Sequence, residues 1–245
     1  MDSPDVRAND QAFYAGSVDY FDPKNERYIR SHLDVVKSYI SAVSDPLEKF
    51  YRSRGGNVRF AELGAGTCLT SLSLRKMYPQ ASFTCVDISL SRMQLLLGKA
   101  ASLVGVSPEG IELTECDMSN RLPFENKQFD IVVFDASLHH SCNIWLTLSE
   151  CRRILAPDGA VAALREQYVA PLTASYALRR LLRTQEVQSG VAENAFLKEQ
   201  YAYYFAANGF VPAFHSVTPG VHWRLLSPLN GLLFSKWSIW APLAR

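Results

Sequence analysis

The residues best suited to chemistry in this chain are a glycine turn and the acids spaced after it. Phe60-Ala61-Glu62-Leu63-Gly64-Ala65-Gly66-Thr67 reads as the end of a β-strand and the opening of a helix. Glycines at 64 and 66 allow a sharp bend and let a ligand approach the backbone with no Cβ in the way. The helix that follows presents unpaired N–H groups to whatever sits there. A GxG pair alone equally fits an ordinary tight β–α turn, and its sequel is more specific. Asp87 stands 21 residues after Gly66, at the end of Phe83-Thr84-Cys85-Val86, where a carboxylate can accept both hydroxyls of a ribose. Thirty residues later, Asp117 follows a third β-rich run, placed to accept an exocyclic adenine N–H.

Other groups suit the reacting end of such a site. His139 and His140 follow the run Phe129–Asp135; a histidine there has the acidity of a general base, and the alternative is that the pair caps or packs under the next helix. Adjacent histidines on a turn need further carboxylates before they hold a metal, so no metal site is expected. Arg165 and Glu166 either orient a polar substrate or pair with each other. Arg179, Arg180 and Arg183 lie beside Leu178, Leu181 and Leu182 on a helical stretch, a pattern of a solvated basic face or of attraction for an anionic or carrier-bound substrate. Tyr201, Tyr203, Tyr204 and Phe205 divide between core and an apolar acceptor pocket.

Apolar periodicity supplies the elements that must position these groups. Residues 24–53 read as one or two helices stopped by Gly55-Gly56. Strands are expected at Val58–Leu63, Ser82–Val86, Ile111–Glu115, Phe129–Asp135 and Ala160–Leu164, with helices at Thr67–Tyr78, Ser89–Val104 and Ile144–Leu155. Ala156-Pro157-Asp158-Gly159 reads as a turn. Phe129–Asp135 (FDIVVFD) is almost continuously apolar, as a strand buried on both faces should be. Strand–helix alternation with right-handed crossovers makes a parallel sheet covered by helices on both faces. Residues 166–208 break the rhythm with helical sequence, and strands near 210–217 and 232–241 are expected to close the sheet edge.

Four passages resemble the class I S-adenosylmethionine-dependent methyltransferases, in the branch acting largely on small molecules. They are AELGAGTCLTSL (61–72), FTCVDISLSRMQLLLGKA (83–100), ECDMSNRLPFENKQFDIVVFDASLHH (115–140) and ECRRILAPDGAVAALRE (150–166). The resemblance implies a three-layer, Rossmann-like, doubly wound α/β sheet of about seven strands, mostly parallel with an antiparallel C-terminal strand. It implies S-adenosyl-L-methionine as cofactor and S-adenosyl-L-homocysteine as product. By the same resemblance Glu62 anchors the methionine amino end, Gly64, Ala65 and Gly66 give backbone approach, and Asp87 takes the ribose hydroxyls. Ile88 packs on the adenine, Asp117 and the Met118 amide read its amino group, and Asp135 lies near the methyl end. An N-terminal segment carrying Tyr14, Tyr20 and Phe21 folds over as a lid in similar proteins, so Tyr20 joins His139 as a catalytic candidate. Cys68 departs from the pattern, standing where the family usually has a third glycine; that substitution also disfavours an NAD site, which wants GxGxxG.

Composition sets outer bounds. The chain has 245 residues with 25 basic against 24 acidic side chains, which argues against coating nucleic acid by bulk charge. There is no basic patch interleaved with aromatics. The five cysteines form no CxxC pair and read as reduced core or near-core thiols. The opening residues show no basic-then-apolar signal pattern, and the late apolar stretch is too interrupted to span a bilayer. The expectation is one domain over 1–245: an N-terminal helical lid (1–56), a cofactor-binding core (57–166), a helical substrate cover (167–208) and closing strands (209–245). A cytoplasmic enzyme follows, a homodimer being compatible, that methylates a small aromatic or apolar metabolite at O, N or C. The competing readings are a non-methylating reaction on the same cofactor (cyclisation, decarboxylation or rearrangement) and a non-catalytic partner subunit.

Overall fold

Side chains alternate along each strand, and here that alternation defines the layers. The computed structural model describes residues 26–217 and 234–244, together with 8, 12 and 13. In β1 (Arg59–Leu63), Phe60 faces one side while Ala61 and Leu63 face the other; in β4 (Phe129–Asp135), Ile131 and Val133 share the side of Phe60, and Val132 and Phe134 the opposite one. The first side is covered by α1 (Glu26–Ala42), α2 (Ser44–Ser53), α3 (Leu69–Met77) and α4 (Leu90–Val104), through Val36, Ile40, Leu47, Leu72 and Leu96. The second is covered by α5 (Ile144–Ile154) and α8 (Lys198–Ala207), through Leu148, Ile154, Tyr201 and Phe205.

The remaining strands are β2 (Ser82–Asp87), β3 (Ile111–Glu115), β5 (Leu155–Val169), β6 (Phe196–Leu197), β7 (Ala213–Ser216) and β8 (Phe234–Pro242). Their order is β3-β2-β1-β4-β5-β8-β7, with the two-residue β6 added parallel to the end of β5. The strands from β3 through β5 are parallel, and β8 and β7 close the edge antiparallel. The order in which strands are added to the sheet reverses between β1 and β4, so the crevice beyond their carboxyl ends is where ligands bind in open α/β sheets.

The expected strands and first helices stand, with three differences. β5 begins at Leu155 and runs through the expected turn at 156–159. Phe129 pairs with Leu155 while Ile131 pairs with Ala160, so residues 156–159 are an excursion opposite Asp130 inside one long strand. Asp158 on that excursion pairs with Arg54. Second, the helices of residues 26–53 belong to the core, with Val36, Ile40 and Leu47 buried there. The segment carrying Tyr14, Tyr20 and Phe21 lies outside the described residues. Third, the stretch after β5 holds α6 (Ala174–Leu181) and α7 (Gln185–Gln188), but also β6. Of the cysteines, Cys68, Cys85 and Cys151 are buried, Cys116 is half-buried and Cys142 is exposed; all are free thiols.

Candidate active site

The turn after β1 is built by backbone geometry that side chains resist. Gly64 and Gly66 have φ of 71° and 49°, the left-handed region open to glycine at no steric cost. A Cβ on Gly64 would lie 2.6 Å from Ser137 Cβ, whereas one on Gly66 would meet nothing nearer than Arg92 at 3.7 Å. Glycine at 64 thus serves packing against β4's exit, and at 66 it leaves the backbone bare. Cys68 also has positive φ, 58°, which explains why glycine suits that position. The Gly64 and Ala65 amides both donate to Val86 O, at 2.8 and 2.9 Å, locking the turn onto β2.

Asp87 ends β2 and reaches back to the turn. Its Oδ2 accepts from Gly66 N at 2.8 Å and its Oδ1 from Ser89 N at 3.0 Å. Each carboxylate oxygen keeps a second acceptor position. Burial raises the pKa of Asp87 above the usual carboxylate value, and the two amides with Arg92 only partly offset this. Beneath the turn, Glu62 accepts from both Ser71 N (2.9 Å) and Ser71 Oγ (2.5 Å). Burial pushes its carboxyl up to about 8 despite those bonds, so Glu62 is a neutral acid at the base of the turn below that pH.

At the tip of β4, Asp135 is paired with Arg165 and accepts from Thr70 Oγ1 at 2.6 Å. Burial alone would raise its pKa; the guanidinium and the threonine outweigh it and hold the carboxyl low. Ser137 Oγ donates to Leu63 O at 2.7 Å, tying the exit of β4 to the glycine turn. Glu166 Oε1 accepts from the amides of Ser137 (3.1 Å) and Leu138 (3.0 Å), and its Oε2 lies 2.7 Å from His139 Nδ1. Tyr201 Oη donates to the same oxygen at 3.3 Å. Burial opposes ionisation of Glu166, yet His139 and the Leu138 amide keep its pKa below the ordinary value.

His139 and His140 sit side by side on the 3-10 turn Leu138–His140, ring centroids 4.3 Å apart. His139 Nε2 lies 3.8 Å from Glu193 Oε1, and His140 Nδ1 lies 3.0 Å from Glu193 Oε2 and 2.8 Å from Ala192 O. Burial would lower the pKa of His140; the bond and charge of Glu193 raise it instead. Asn194 fixes the strand of chain that carries Glu193: its backbone N–H and its Nδ2 donate to His139 O at 3.0 and 2.8 Å.

The structure therefore gathers Gly64, Ala65, Gly66, Asp87 and Ser137 at one edge, with the Met118 methyl 3.7 Å from the place of a Gly64 Cβ. Asp117 accepts from Ser119 N and Asn120 Nδ2 at 2.8 and 2.9 Å, one bond on each oxygen. Ile88 is half-buried beside Asp87. Arg165 and Glu166 do not pair with each other: one serves Asp135, the other His139. In the aromatic cluster, Tyr201 and Phe205 are core, Tyr204 packs on Trp145 and Phe196, and Tyr203 is exposed. Arg179, Arg180 and Arg183 are exposed. Glu193, Ser71, Thr70 and Ser137 were not singled out by the sequence; a carboxylate 53 residues beyond His140 carries no local signal.

Comparison with known proteins agrees with this edge. Residues 61–163 match the family model described as a methyltransferase domain. A malonyl-[acyl-carrier protein] O-methyltransferase of Geobacter sulfurreducens is 27% identical over 70% of this chain and 58% of its own length. The chain thus spans little more than half of that relative. A ubiquinone/menaquinone biosynthesis C-methyltransferase of Desulfotalea psychrophila is 25% identical over 66% of this chain and 71% of its own. Among solved structures, the geranyl diphosphate C-methyltransferase of Streptomyces coelicolor A3(2) superposes with a TM-score of 0.61 at 14% identity, over 78% of this chain and 72% of that one. No helix among the described residues is long and apolar enough to cross a membrane. The matched stretch runs from β1 to β5 and carries the glycine turn, so this core is similar to a methyltransferase domain.

Proposed function

We propose that the protein transfers a methyl group from S-adenosylmethionine to a small-molecule acceptor with an aromatic or apolar body. One observation carries the reading: a bare left-handed turn at 64–66 whose Gly66 amide is held 2.8 Å from the buried carboxylate of Asp87. The residues fit the cofactor. The turn offers backbone with no Cβ at 66, and Asp87 keeps one acceptor position on each oxygen for the two ribose hydroxyls. Glu62 below the turn would meet the methionine ammonium, directly or through water, and Ile88, Asp117 and Met118 would line the adenine. Asp135 would lie near the methyl end.

The cofactor when bound supplies a sulfonium electrophile, so the chain need only hold the acceptor atom in line with the methyl, exclude water and, for some acceptors, remove a proton. Ser137 and the β4 exit fix one wall of that crevice against the turn. His139 is the base anticipated from sequence, but its Nδ1 is committed to Glu166 and its Nε2 faces Glu193. The proposal does not depend on it. The two relatives named above are an O- and a C-methyltransferase, so the acceptor atom is left to experiment.

Calorimetry with S-adenosylhomocysteine tests the cofactor. Wild type should bind, and Asp87→Asn, which keeps one acceptor for the Gly66 amide, should bind at least 10-fold more weakly. Charge-assisted hydrogen bonds of this kind contribute about 1.5–3 kcal/mol each. No binding by wild type, or undiminished binding by both Asp87→Asn and Asp87→Ala, refutes the assignment. With a turned-over acceptor, a product heavier by one methyl supports transfer, and an isomer points to the non-methylating alternative.

A further inference from the structure

Two adjacent histidines make a poor metal site unless the fold brings a carboxylate to them from elsewhere, and here it does. His139, His140 and Glu193 place one ligating atom each within 4.8 Å of one another. His140 Nδ1 lies 3.0 Å from Glu193 Oε2, and His139 Nε2 lies 3.8 Å from Glu193 Oε1. Donors bound to one ion at about 2.0–2.2 Å lie roughly 3–4 Å from each other, so these pairs need almost no movement. The ring centroids of the two histidines are 4.3 Å apart.

The surroundings are those of a metal-ligating histidine. Glu166 Oε2, 2.7 Å from His139 Nδ1, takes the proton on that nitrogen and leaves Nε2 with its lone pair outward, the carboxylate–histidine arrangement that orients metal ligands. Glu193 is held independently of any ion, by Gln167 Nε2 at 2.7 Å and by the Asn194 bonds to His139 O. Two imidazoles and a carboxylate are a donor set for Zn2+ and neighbouring first-row ions.

We propose that His139, His140 and Glu193 bind a divalent transition-metal ion of the Zn2+ class, with Glu166 as the group that orients His139. Three protein donors leave a coordination position open, as in catalytic rather than structural sites. The histidine turn follows directly on Ser137, which touches the glycine turn. An oxygen of the acceptor, as carboxylate or enolate, is the donor the open position would take; this last step alone rests on the methyltransferase reading.

The test uses the full chain, freed of metal by chelator, titrated with Co2+ and followed by its visible d–d absorption in the absence of any cofactor. The expected result is saturable binding of one ion with intensified bands, displaced by Zn2+. Glu193→Gln and His140→Ala should each abolish the bands, and Glu166→Gln should weaken binding by about 10–100-fold. Glu199→Gln, on the exposed start of α8, should change nothing. Should a variant fail to fold, long-range proton–nitrogen NMR of wild type decides: Zn2+ must shift ring nitrogens of two of the five histidines. Absorption no stronger than that of aqueous Co2+, binding unchanged in both Glu193→Gln and His140→Ala, or no imidazole shift with Zn2+ overturns the proposal. Binding of S-adenosylhomocysteine, measured separately, stands or falls on its own.

Discussion

Glu62 makes the fold's stability depend on pH in a window where few proteins change. Its carboxyl is pushed up to about 8 in the folded chain against about 4.5 for an exposed glutamate. Between those two values the native state holds a proton that the unfolded chain has released, so stability falls as pH rises. The contribution is complete below pH 4.5 and lost as pH passes through 8. At about 1.4 kcal/mol per pH unit the whole span is worth on the order of 5 kcal/mol, most of which falls between pH 5 and pH 8. A domain of this kind has a total stability of about 5–15 kcal/mol, so the loss is readily measured. Glu62→Gln keeps the shape and one acceptor for Ser71 but has no proton to lose. Urea unfolding of both proteins without cofactor, at pH 5 and pH 8, should show wild type losing about 3 kcal/mol more than the variant. Asp87 and His140 are also raised and act in the same direction, but they are present in both proteins and cancel in the difference. Asp135, Glu166 and Glu193 are held low and act only in acid. Equal losses in the two proteins would refute the reasoning, because the buried acid would then be ionised throughout.

Other expectations follow from the same edge. Gly64→Ala should weaken S-adenosylhomocysteine binding at least 10-fold by calorimetry, since its Cβ would fall 2.6 Å from Ser137 Cβ; Gly64→Ala with Ser137→Gly should recover part of it, leaving the cost of positive φ, about 1–2 kcal/mol. Arg165→Met should destabilise by about 3–5 kcal/mol in denaturant unfolding by stranding the buried Asp135, and adding Asp135→Asn should restore most of that loss. Asn194→Ala removes the side-chain bonds to His139 O and Ser141 O, and limited proteolysis should then cut residues 185–195 faster than in wild type.

The sheet was legible because its strands announce themselves locally. Phe129–Asp135 is apolar enough to be buried on both sides, and six of its seven residues are. Asp87 was legible because a strand end followed by a helix fixes its place to within a residue. Long-range pairing was not. Arg165 and Glu166, adjacent in sequence, invite a local ion pair, but neighbours along a strand point to opposite faces, and Arg165 sits at a bulge with φ of 56°. One side chain therefore goes to Asp135 and the other to His139. The turn expected at 156–159 failed for a related reason: proline and glycine mark a bend, and a sheet can absorb a bend as an excursion when the flanking residues still find partners. Glu193 had no signal at all, since only the fold brings it to the histidines.

The backbone beside the histidines shows what that fold is organised to hold. Ala136 and Arg165, neither of them glycine, both have positive φ, 51° and 56°, and flank the bond from Ala136 N to Leu164 O at 2.8 Å. Residues held in such conformations cost about 1–3 kcal/mol each and persist only where surrounding structure over-determines them. Here the constraint is visible: Glu166 accepts from the amides of Ser137 and Leu138, Arg165 closes on Asp135, and Ser137 Oγ bonds Leu63 O. A relaxed strand end would swing Ser137 away from the glycine turn and His139 away from Glu193. The strained link between β4 and β5 thus sets the distance between the glycine turn and the histidine cluster.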